Sequence, residues 1–474
     1  MLDRSLLDPL LASLFTLSAA AAQCVPTWAP VAPTTTPPTV WALATMPNGD
    51  VIAAGVFSSV AGVAATNIAR WDGRTWAPLG AGVNGWVNAL AVAPNGDLIV
   101  GGAFTTAGGA PAAGVARWDG ATWSGFGSGL ASARAVTTRS NGDIIAMIGG
   151  GVVRWDGTSW SLLPGYSGLH LRGLLTLSND DVLVLGDGYV PSVGAAAIAS
   201  WNGVSFSALG GNTFGEAFHA LVRRNGDLLV AGDHLSAGAA PSPILKRTAT
   251  GWAPLDPALG GIVYAMIELP NGDLLAAGSP YLQSQQLGPI ARWNGSTWSA
   301  FGVGMAGGAT DMALARNGEI LAAGAITMAG ASLRLVQSTV TCPASVRSSG
   351  VGCVSAAGLV TAKARSLPWI GSTFSVTATG MTPQSLALQV LGVQGVVMPL
   401  PLGAPGCTLL VDPVVTGLLI PAAGVVDAEL AIPNTVGLVG ATLRTQIVGL
   451  ELDATLQIVG ASGSNALLWT IGAL

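Results

Sequence analysis

The residues most able to do chemistry are a few histidines and acids in the middle of the chain. The sequence of 474 residues has only three His, and two of them, His219 and His234, belong to the same repeat copy as Asp233. Imidazole and carboxylate groups can act as acid–base catalysts or as metal ligands. Ten of the 24 acids, however, recur inside repeated phrases and are interpreted as turn residues. Few acids therefore remain for the paired carboxylates of a glycosidase.

Signatures of known catalytic sites are absent from the sequence. It contains no Ser-His-Asp order, no phosphate-binding loop and no nucleophile elbow. The four cysteines form no C-x-x-C pair, so they predict disulfides rather than a metal site. We therefore predict no catalytic residue, no metal and no cofactor, and leave open whether the chain is an enzyme.

The composition excludes several classes of protein. Half of the residues are hydrophobic, 9% are charged and the net charge is -5. No cluster of Lys or Arg is present, so nucleic acid is not an expected partner. The 66 Gly and 28 Pro argue against a helical protein, and the 15 Trp argue against disorder. We expect a β-rich monomer.

A repeated phrase indicates how the candidate residues are positioned. "PNGDVIAAG", "PNGDLIVGG", "SNGDIIAMI", "SNDDVLVLG", "RNGDLLVAG", "PNGDLLAAG" and "RNGEILAAG" follow one another at steps of 47, 46, 38, 46, 46 and 46 residues. Each copy holds four β-like runs, joined by turns such as Asn-Gly that favour tight hairpins. The pattern predicts an all-β fold with a seven-bladed β-propeller. A solenoid is the alternative, but it would need capping repeats that the sequence lacks.

The seventh copy lacks its fourth strand, whereas residues 23–30, "QCVPTWAP", hold a spare one. We predict that this N-terminal strand, with Trp28, closes the propeller and removes an open sheet edge. When the copies are aligned, Cys24 and Cys342 fall on adjacent positions of the turn at which the chain is cut. A disulfide between them would replace the missing peptide link.

The phrases "NGD-hydrophobic-GG" and "ARWDG-x-x-W" resemble those of large secreted bacterial repeat proteins. They are also similar to the repeats of eukaryotic cell-surface propellers that mark cortical sites. The resemblance implies the propeller fold and a location outside the cell or at its surface. It carries over no catalytic motif.

The remaining segments complete the predicted domain organisation. Residues 1–22 are typical of a signal peptide, with an apolar run before a small-residue cleavage site, although a membrane anchor and a lipidated Cys24 are alternatives. The propeller then spans 23–342, a linker spans 343–352 and a β-sandwich spans 353–474, with no transmembrane segment in the mature chain. Within the sandwich we expect Cys353 to pair with Cys407.

One variable position per copy lies seven residues before the turn Asn. It holds Trp41, Asn88, Arg134, Arg172, Phe218, Tyr264 and Thr310. The next position is small except at His219 and Asp311, as a crowded channel requires, and nearby second strands carry Asp187, Asp233 and His234 in place of small residues. The predicted ligand-binding residues are Trp41, Arg134, Arg172, Asp187, Phe218, His219, Asp233, His234, Tyr264 and Asp311. Ordinary hydrogen bonding between blades is the alternative interpretation.

Two functions stay open on this basis. The favoured one is an exported, non-catalytic propeller that binds a protein or glycan at the cell surface or outside the cell. The alternative is an extracellular hydrolase or lyase near blades four and five. It requires His219 and Asp233 to approach each other and a second acid within hydrogen-bond reach.

Overall fold

The computed structural model describes residues 27–31, 38–149, 151–166, 171–187, 189–190, 194–195, 197–211, 213–238, 241–279, 281–282, 285–302, 305–328, 331–339, 345–369, 372–403, 407–432 and 441–472. Every regular element in these ranges is a β-strand, and the pairing is antiparallel throughout the named sheets. The prediction of an all-β chain is therefore confirmed. None of the described residues belongs to a helix that is long and apolar enough to span a membrane.

Seven four-stranded sheets follow one another in the described part of the first 339 residues. Sheet one comprises Thr39–Thr45, Val51–Val56, Ile68–Trp71 and Trp76–Pro78; sheet two Trp86–Val92, Leu98–Ala103, Val115–Trp118 and Trp123–Gly125; sheet three Ala135–Thr138, Ile144–Ile148, Gly151–Trp155 and Trp160–Leu162. Sheet four comprises Leu171–Thr176, Val182–Gly186, Ile198–Trp201 and Phe206–Ala208; sheet five Phe214–Val222, Leu228–Ser236, Ser242–Arg247 and Trp252–Pro254; sheet six Val263–Glu268, Leu274–Gly278, Ile290–Trp293 and Trp298–Ala300. Sheet seven comprises Met305–Leu314, Ile320–Met328, Ala331–Thr339 and, outermost, Thr27–Pro30.

The fourth strand of sheet seven comes from the N-terminal end of the described chain. Thr27–Pro30 pairs with Ala331–Thr339, and Trp28 lies opposite Ser338. Trp28 is buried, and its indole N–H donates to the carbonyl of Phe301, just after the outer strand of sheet six, at 3.1 Å. The outer-strand tryptophans of sheets two and three donate in the same way, to Leu79 and Phe126 of the preceding sheet. Cys24 and Cys342 lie outside the described residues.

Consecutive sheets pack on each other through shared apolar cores. Leu98 of sheet two, for example, packs with Ile52 of sheet one. Sheet seven packs against sheet one in the same manner, because Leu321 shares a core with Val51 and Trp76. The first strands of the seven sheets also contact one another in a closed order, from sheet one through sheet seven and back to sheet one.

The Asn-Gly-Asp phrases form the turns between first and second strands. In sheet one, Gly49 has a positive φ of 79°, the Asn48 side chain donates to Asp50 at 2.9 Å, and the Asp50 N–H donates back to Asn48 at 3.0 Å. A basic residue on the third strand then pairs with the acid, as Arg117 does with Asp97 at 2.6 Å. These contacts agree with the interpretation of the repeated acids as turn residues. We call this side of the sheets the turn end.

Short strands extend some of the loops that join second and third strands. The hairpins are Ser59–Val60 with Val63–Ala64, Thr106–Ala107 with Ala110–Pro111, and Tyr189–Val190 with Gly194–Ala195; Leu259–Gly260, Tyr281–Leu282 and Gln285–Gln286 form a small three-stranded sheet. In sheet three, Gly151–Trp155 follows Ile144–Ile148 after only two residues. This short connection accounts for the one short copy of the repeat.

A separate compact unit follows the seven sheets. One of its sheets contains Ser345–Ser349, Ala466–Thr470, Thr442–Leu452, Ser385–Gly392, Val415–Leu419 and Ile458–Gly463; a second contains Thr361–Ala364, Thr373–Thr379 and Val426–Ala431; the hairpins are Val354–Ser355 with Gly358–Leu359 and Gly395–Pro399 with Thr408–Val411. Phe374 of the second sheet and Trp469 of the first pack at 4.6 Å between ring centroids, inside one core. Cys353 and Cys407 form a disulfide, with Cα atoms 5.2 Å apart.

The segment predicted as a linker, 343–352, contains structure. Ser345–Ser349 is a strand that pairs with Ala466–Thr470. Val346 packs against the apolar core of the C-terminal unit. The pairing and this contact tie the segment to the C-terminal unit.

Candidate functional site

A β-bulge interrupts the first strand in six of the seven sheets. The bulged residues are Trp41, Asn88, Arg172, Phe218, Tyr264 and Thr310. They are the residues that occupy the variable position in the sequence. In sheet three, the corresponding Arg134 directly precedes the first strand, and its N–H donates to the carbonyl of Met147 at 2.8 Å. We call these seven residues the bulge ring and this side of the sheets the bulge end.

A bulge inserts one residue without a partner and resets the alternation of side chains along a strand. It can therefore aim one side chain per sheet in a direction that a regular strand would not allow. Trp41, Arg134, Arg172 and Thr310 of the bulge ring are exposed, whereas Ala42 and Ala265, which directly follow bulged residues, are buried. Variable side chains, several of them exposed, therefore lie at the bulged positions, and small, buried side chains such as Ala42 and Ala265 directly follow them.

The glycine that ends the repeated phrase makes room for the bulge. A Cβ atom on Gly55 would lie 2.1 Å from the carbonyl oxygen of Thr39, and one on Gly232 would lie 2.1 Å from that of Glu216. No side chain can be accommodated at such a distance from backbone. The same close approach occurs at Gly102, Gly278 and Gly324. A repeated residue thus supports the position at which the variable residue is presented.

An exposed tryptophan pair joins sheets one and two at the bulge end. Trp41 is 40% exposed and Trp86 is 58% exposed. Their ring centroids are 5.9 Å apart and the ring planes meet at 82°, an edge-to-face arrangement. Trp86 was not among the predicted residues, although its place two residues before Asn88 at the start of a first strand could have indicated it.

A second group joins sheets four, five and six. The guanidinium of Arg172 lies 5.8 Å from the ring centroid of Phe218, and Phe218 packs on Tyr264 at 5.0 Å between centroids. Arg172 also pairs with Glu216, with 2.6 Å between Nε and Oε1. Glu216 was not predicted, because the contact depends on a second bulge in sheet five, between Phe214 and Glu216. Of the predicted residues, the structure therefore brings Arg172, Phe218 and Tyr264 together.

His219 and Asp311 each follow a bulged residue, and both are partly buried. The Nδ1 atom of His219 is buried and has no hydrogen-bond partner in the described part of the chain, and burial lowers the pKa of His219 to about 4. Burial raises the pKa of Asp311 to about 7, although its carboxyl accepts the N–H groups of Leu43 at 2.7 Å and Met312 at 2.8 Å. The contact with Leu43 joins sheet seven to sheet one.

Asp233, His234 and Asp187 each interact with residues other than His219. Asp233 contacts the neighbouring His234, which is exposed and has a positive φ of 49°. Asp187 is exposed, and its charge adds to burial in raising the pKa of Tyr166. Among the described residues, no group of three or more His, Cys, Asp or Glu side chains could hold a metal ion.

A cavity of about 350 Å³ lies between sheets two and three at the turn end. Its lining includes the ion pair of Asp97 and Arg117, the apolar Phe126, and Ala93. At the position of Ala93, sheet three carries Arg139, which reaches sheet four and lies 5.1 Å from the ring centroid of Trp201. The small Ala93 side chain leaves the space that a longer residue fills elsewhere.

Comparisons with known proteins give weak structural likenesses. No protein-family model and no curated protein matches the chain. Among solved structures, the chain is similar to the extracellular domain of a hybrid two-component system of B. thetaiotaomicron (9% identity, TM-score 0.44, 95% of this chain and 59% of that one). It is also similar to PorZ, a surface component of the type-IX secretion system of Porphyromonas gingivalis (13%, 0.40, 93% and 60%), and to a gluconolactonase of Xanthomonas campestris (10%, 0.35, 68% and 99%). The chain spans about three fifths of the first two structures, and at these TM-scores none supports an assignment of function.

Proposed function

We propose that the chain is an exported, non-catalytic binding module built on a seven-bladed β-propeller. In this proposal the strand Thr27–Pro30 closes the propeller, and a β-sandwich follows it. The closed order of contacts between first strands and the shared core of sheets seven and one support the closure. The ligand is a protein or a glycan, met at the cell surface or outside the cell.

The observation that carries the binding role is the exposure of aromatic side chains in the bulge ring and next to it. Exposed apolar residues that lie in contact with one another often mark binding sites, and Trp and Tyr are enriched where proteins bind partners. Trp41 and Trp86 are both more than a third exposed and lie in contact with each other. Their position at the bulge end is supported by repeated glycines, whereas their identity differs from copy to copy.

The contacts of the polar residues favour binding over catalysis. The hydrolase alternative requires His219 and Asp233 to work with a second acid, but Asp233 pairs with His234 instead. Glu216 is held by Arg172. The buried Nδ1 of His219 has no hydrogen-bond partner in the described part of the chain, so it lacks the positioned acid that usually orients a catalytic imidazole.

Export is supported by the apolar N-terminal segment 1–22 and by the disulfide of Cys353 with Cys407, since disulfides persist in oxidising compartments. We further propose a Cys24–Cys342 disulfide across the closure. Peptide mapping of the exported protein without reduction should recover both pairs, whereas a linkage of Cys342 to Cys353 would contradict the proposed closure.

The binding role is tested with arrays of glycans and of secreted proteins probed by the labelled, exported chain. Binding should be lost in a triple variant that combines Trp41→Ala, Trp86→Ala and Phe218→Ala. It should persist in Leu162→Ala, which removes a side chain that is 60% exposed on the outer strand of sheet three. Equal binding by the triple variant would refute the bulge end as the binding surface. Turnover of an array ligand that is abolished by Asp233→Asn would favour the hydrolase alternative.

A further inference from the structure

The aromatic residues of the bulge end form two separate groups rather than one continuous apolar patch. Trp41 and Trp86 lie at sheets one and two, and Phe218 and Tyr264 lie at sheets five and six. Between them the bulge ring carries Asn88, Arg134 and Arg172 on one side and Thr310 on the other. Protein interfaces usually centre on one contiguous, dehydrated core with a polar rim. Separate aromatic groups divided by polar residues fit a different kind of ligand.

A sugar ring has a face of C–H bonds that carries a small positive charge and a rim of hydroxyl groups. The π face of an aromatic ring is negative, so it attracts the C–H face. In an edge-to-face pair, the ring that offers its edge keeps its own faces free for a ligand. The 82° angle between Trp41 and Trp86, together with their exposure, leaves aromatic surface available for such stacking.

The hydroxyl rim needs donors and acceptors beside the aromatic rings, and Arg172 and Glu216 supply both. Their side chains are 46% and 29% exposed. A guanidinium has five N–H donors, and only Nε of Arg172 is engaged by a described partner. A carboxylate can accept about four hydrogen bonds. Both groups therefore retain hydrogen-bonding capacity directly beside Phe218, over which Arg172 lies.

The charges of this group favour a neutral ligand. Glu216 neutralises Arg172 at 2.6 Å, and Asp233 lies beside Glu216 as its cross-strand partner. Because the positive and negative charges are paired, the group has no strong net attraction for an anionic or a cationic ligand. Hydroxyl groups, by contrast, can bond to either member of an ion pair without disturbing it.

We propose that the bulge end binds a neutral oligosaccharide. Sugar rings stack on the Trp41–Trp86 pair and contact the partly exposed rings of Phe218 and Tyr264, where Arg172 and Glu216 bind hydroxyl groups. The assignment rests on the proposed binding function and names its ligand class.

The test is isothermal titration of the exported chain with defined neutral oligosaccharides: gluco-, xylo-, manno- and chito-oligomers of increasing length. Polygalacturonate serves as an anionic comparison. We expect one neutral series to bind, with polygalacturonate bound more weakly or not at all. Trp86→Ala and Phe218→Ala should each weaken binding about tenfold or more, as removal of a central aromatic contact does. Trp86→Phe should retain most of the affinity because it keeps a stacking face, and Leu162→Ala should change nothing.

The outcomes separate this inference from the function on which it rests. If no neutral sugar binds but a protein on the array binds in a Trp86-dependent way, the sugar assignment is wrong and the binding module stands. If neutral sugars bind equally well to the Trp86→Ala and Phe218→Ala variants, the assigned site is wrong. If neither array yields a ligand, both proposals fail.

Discussion

The side chains at the two ends of the seven sheets differ in their hydrogen bonding and in their exposure to solvent. At the turn end the residue types repeat, and they satisfy one another: Asn95 bonds to Asp97, and Arg117 on the third strand pairs with the same acid. At the bulge end the residue types differ from sheet to sheet, and side chains such as Trp41 stay exposed. The repeated residues of the turn end thus form hydrogen bonds and ion pairs with one another, whereas the variable residues of the bulge end are accessible to solvent.

This difference separates the residues that build the sheets from those that are available for a ligand. A residue whose hydrogen-bonding groups are used within its own sheet has little left for a partner. A bulged residue differs in this respect, because the bulge leaves one residue in each of six sheets without a partner in the strand pairing. Changes at the turn end or in the cores should therefore affect stability, and changes at the bulge end should affect binding.

The largest expected effect is that of Trp28→Ala in the outer strand of sheet seven. Trp28 is 6% exposed, packs edge-on against Phe301 and donates to its carbonyl at 3.1 Å. Truncating a buried aromatic side chain costs roughly 3–5 kcal/mol. Trp41→Ala removes the same side chain from an exposed site and should cost less than about 1 kcal/mol. Urea unfolding of both variants measures the difference, and equal losses would contradict the separation of the two classes of Trp.

The next effect concerns the glycine that supports a bulge. In Gly232→Ala the new Cβ would lie 2.1 Å from the carbonyl oxygen of Glu216, so the strand must shift. We expect a loss of roughly 3 kcal/mol, at the upper end for overpacking, together with weaker ligand binding because Glu216 and Phe218 move. Gly149→Ala is the matched control, since nothing lies within 4 Å of its Cβ position. Similar unfolding midpoints for the two variants would show that the glycine is not what the bulge requires.

Much of this organisation could be predicted from the sequence, because the repeat period and the turn chemistry are local. The position seven residues before the turn Asn coincides with the bulge in six of the seven sheets. The spare Trp28 indicated the strand that pairs with Ala331–Thr339. The bulge itself could not be predicted, since a register shift depends on both strands. The contact of Arg172 with Glu216 was missed for the same reason, because it joins two sheets through a second bulge.

The strand Ser345–Ser349 shows the limit in another way. Its polar residues and flanking glycines are typical of a linker, and only its partner Ala466–Thr470, far along the chain, makes it a strand.

The third effect is a pH dependence with two opposing contributions. Burial lowers the pKa of His219 to about 4, so between about pH 4 and 6.5 the unfolded chain binds this proton more readily, and stability rises with pH. Burial raises the pKa of Asp311 to about 7, so here the native state holds the proton more tightly. That contribution is full below about pH 4 and is lost as the pH rises towards 7.

Single variants should separate the two contributions. His219→Gln removes the rising part, so stability should fall more steeply between pH 4 and 7 than in the parent chain. Asp311→Asn removes the falling part, so stability should rise with pH across the same window. Urea midpoints measured at several pH values give both slopes. Parallel pH profiles for the two variants would show that these residues titrate as they do in the unfolded chain.

The smallest effect is expected at a turn-end ion pair. Lys246 lies 2.7 Å from Asp227, but the side chains are 40% and 24% exposed. Exposed pairs contribute up to about 1 kcal/mol and are screened by salt, so Lys246→Met should cost less than that, and still less in concentrated salt. The hydrogen bond from Lys246 lowers the pKa of Asp227, so the pair stabilises the fold above the ordinary carboxyl pKa and this contribution is lost on acidification.

Arg154→Met tests a more buried ion pair, because it leaves Asp143, which is only 5% exposed, without its partner at 2.8 Å. If turn-end contacts serve stability in proportion to burial, Arg154→Met must destabilise more than Lys246→Met at neutral pH, and neither should change ligand binding; a reversed order in urea unfolding would contradict this account of the turn end.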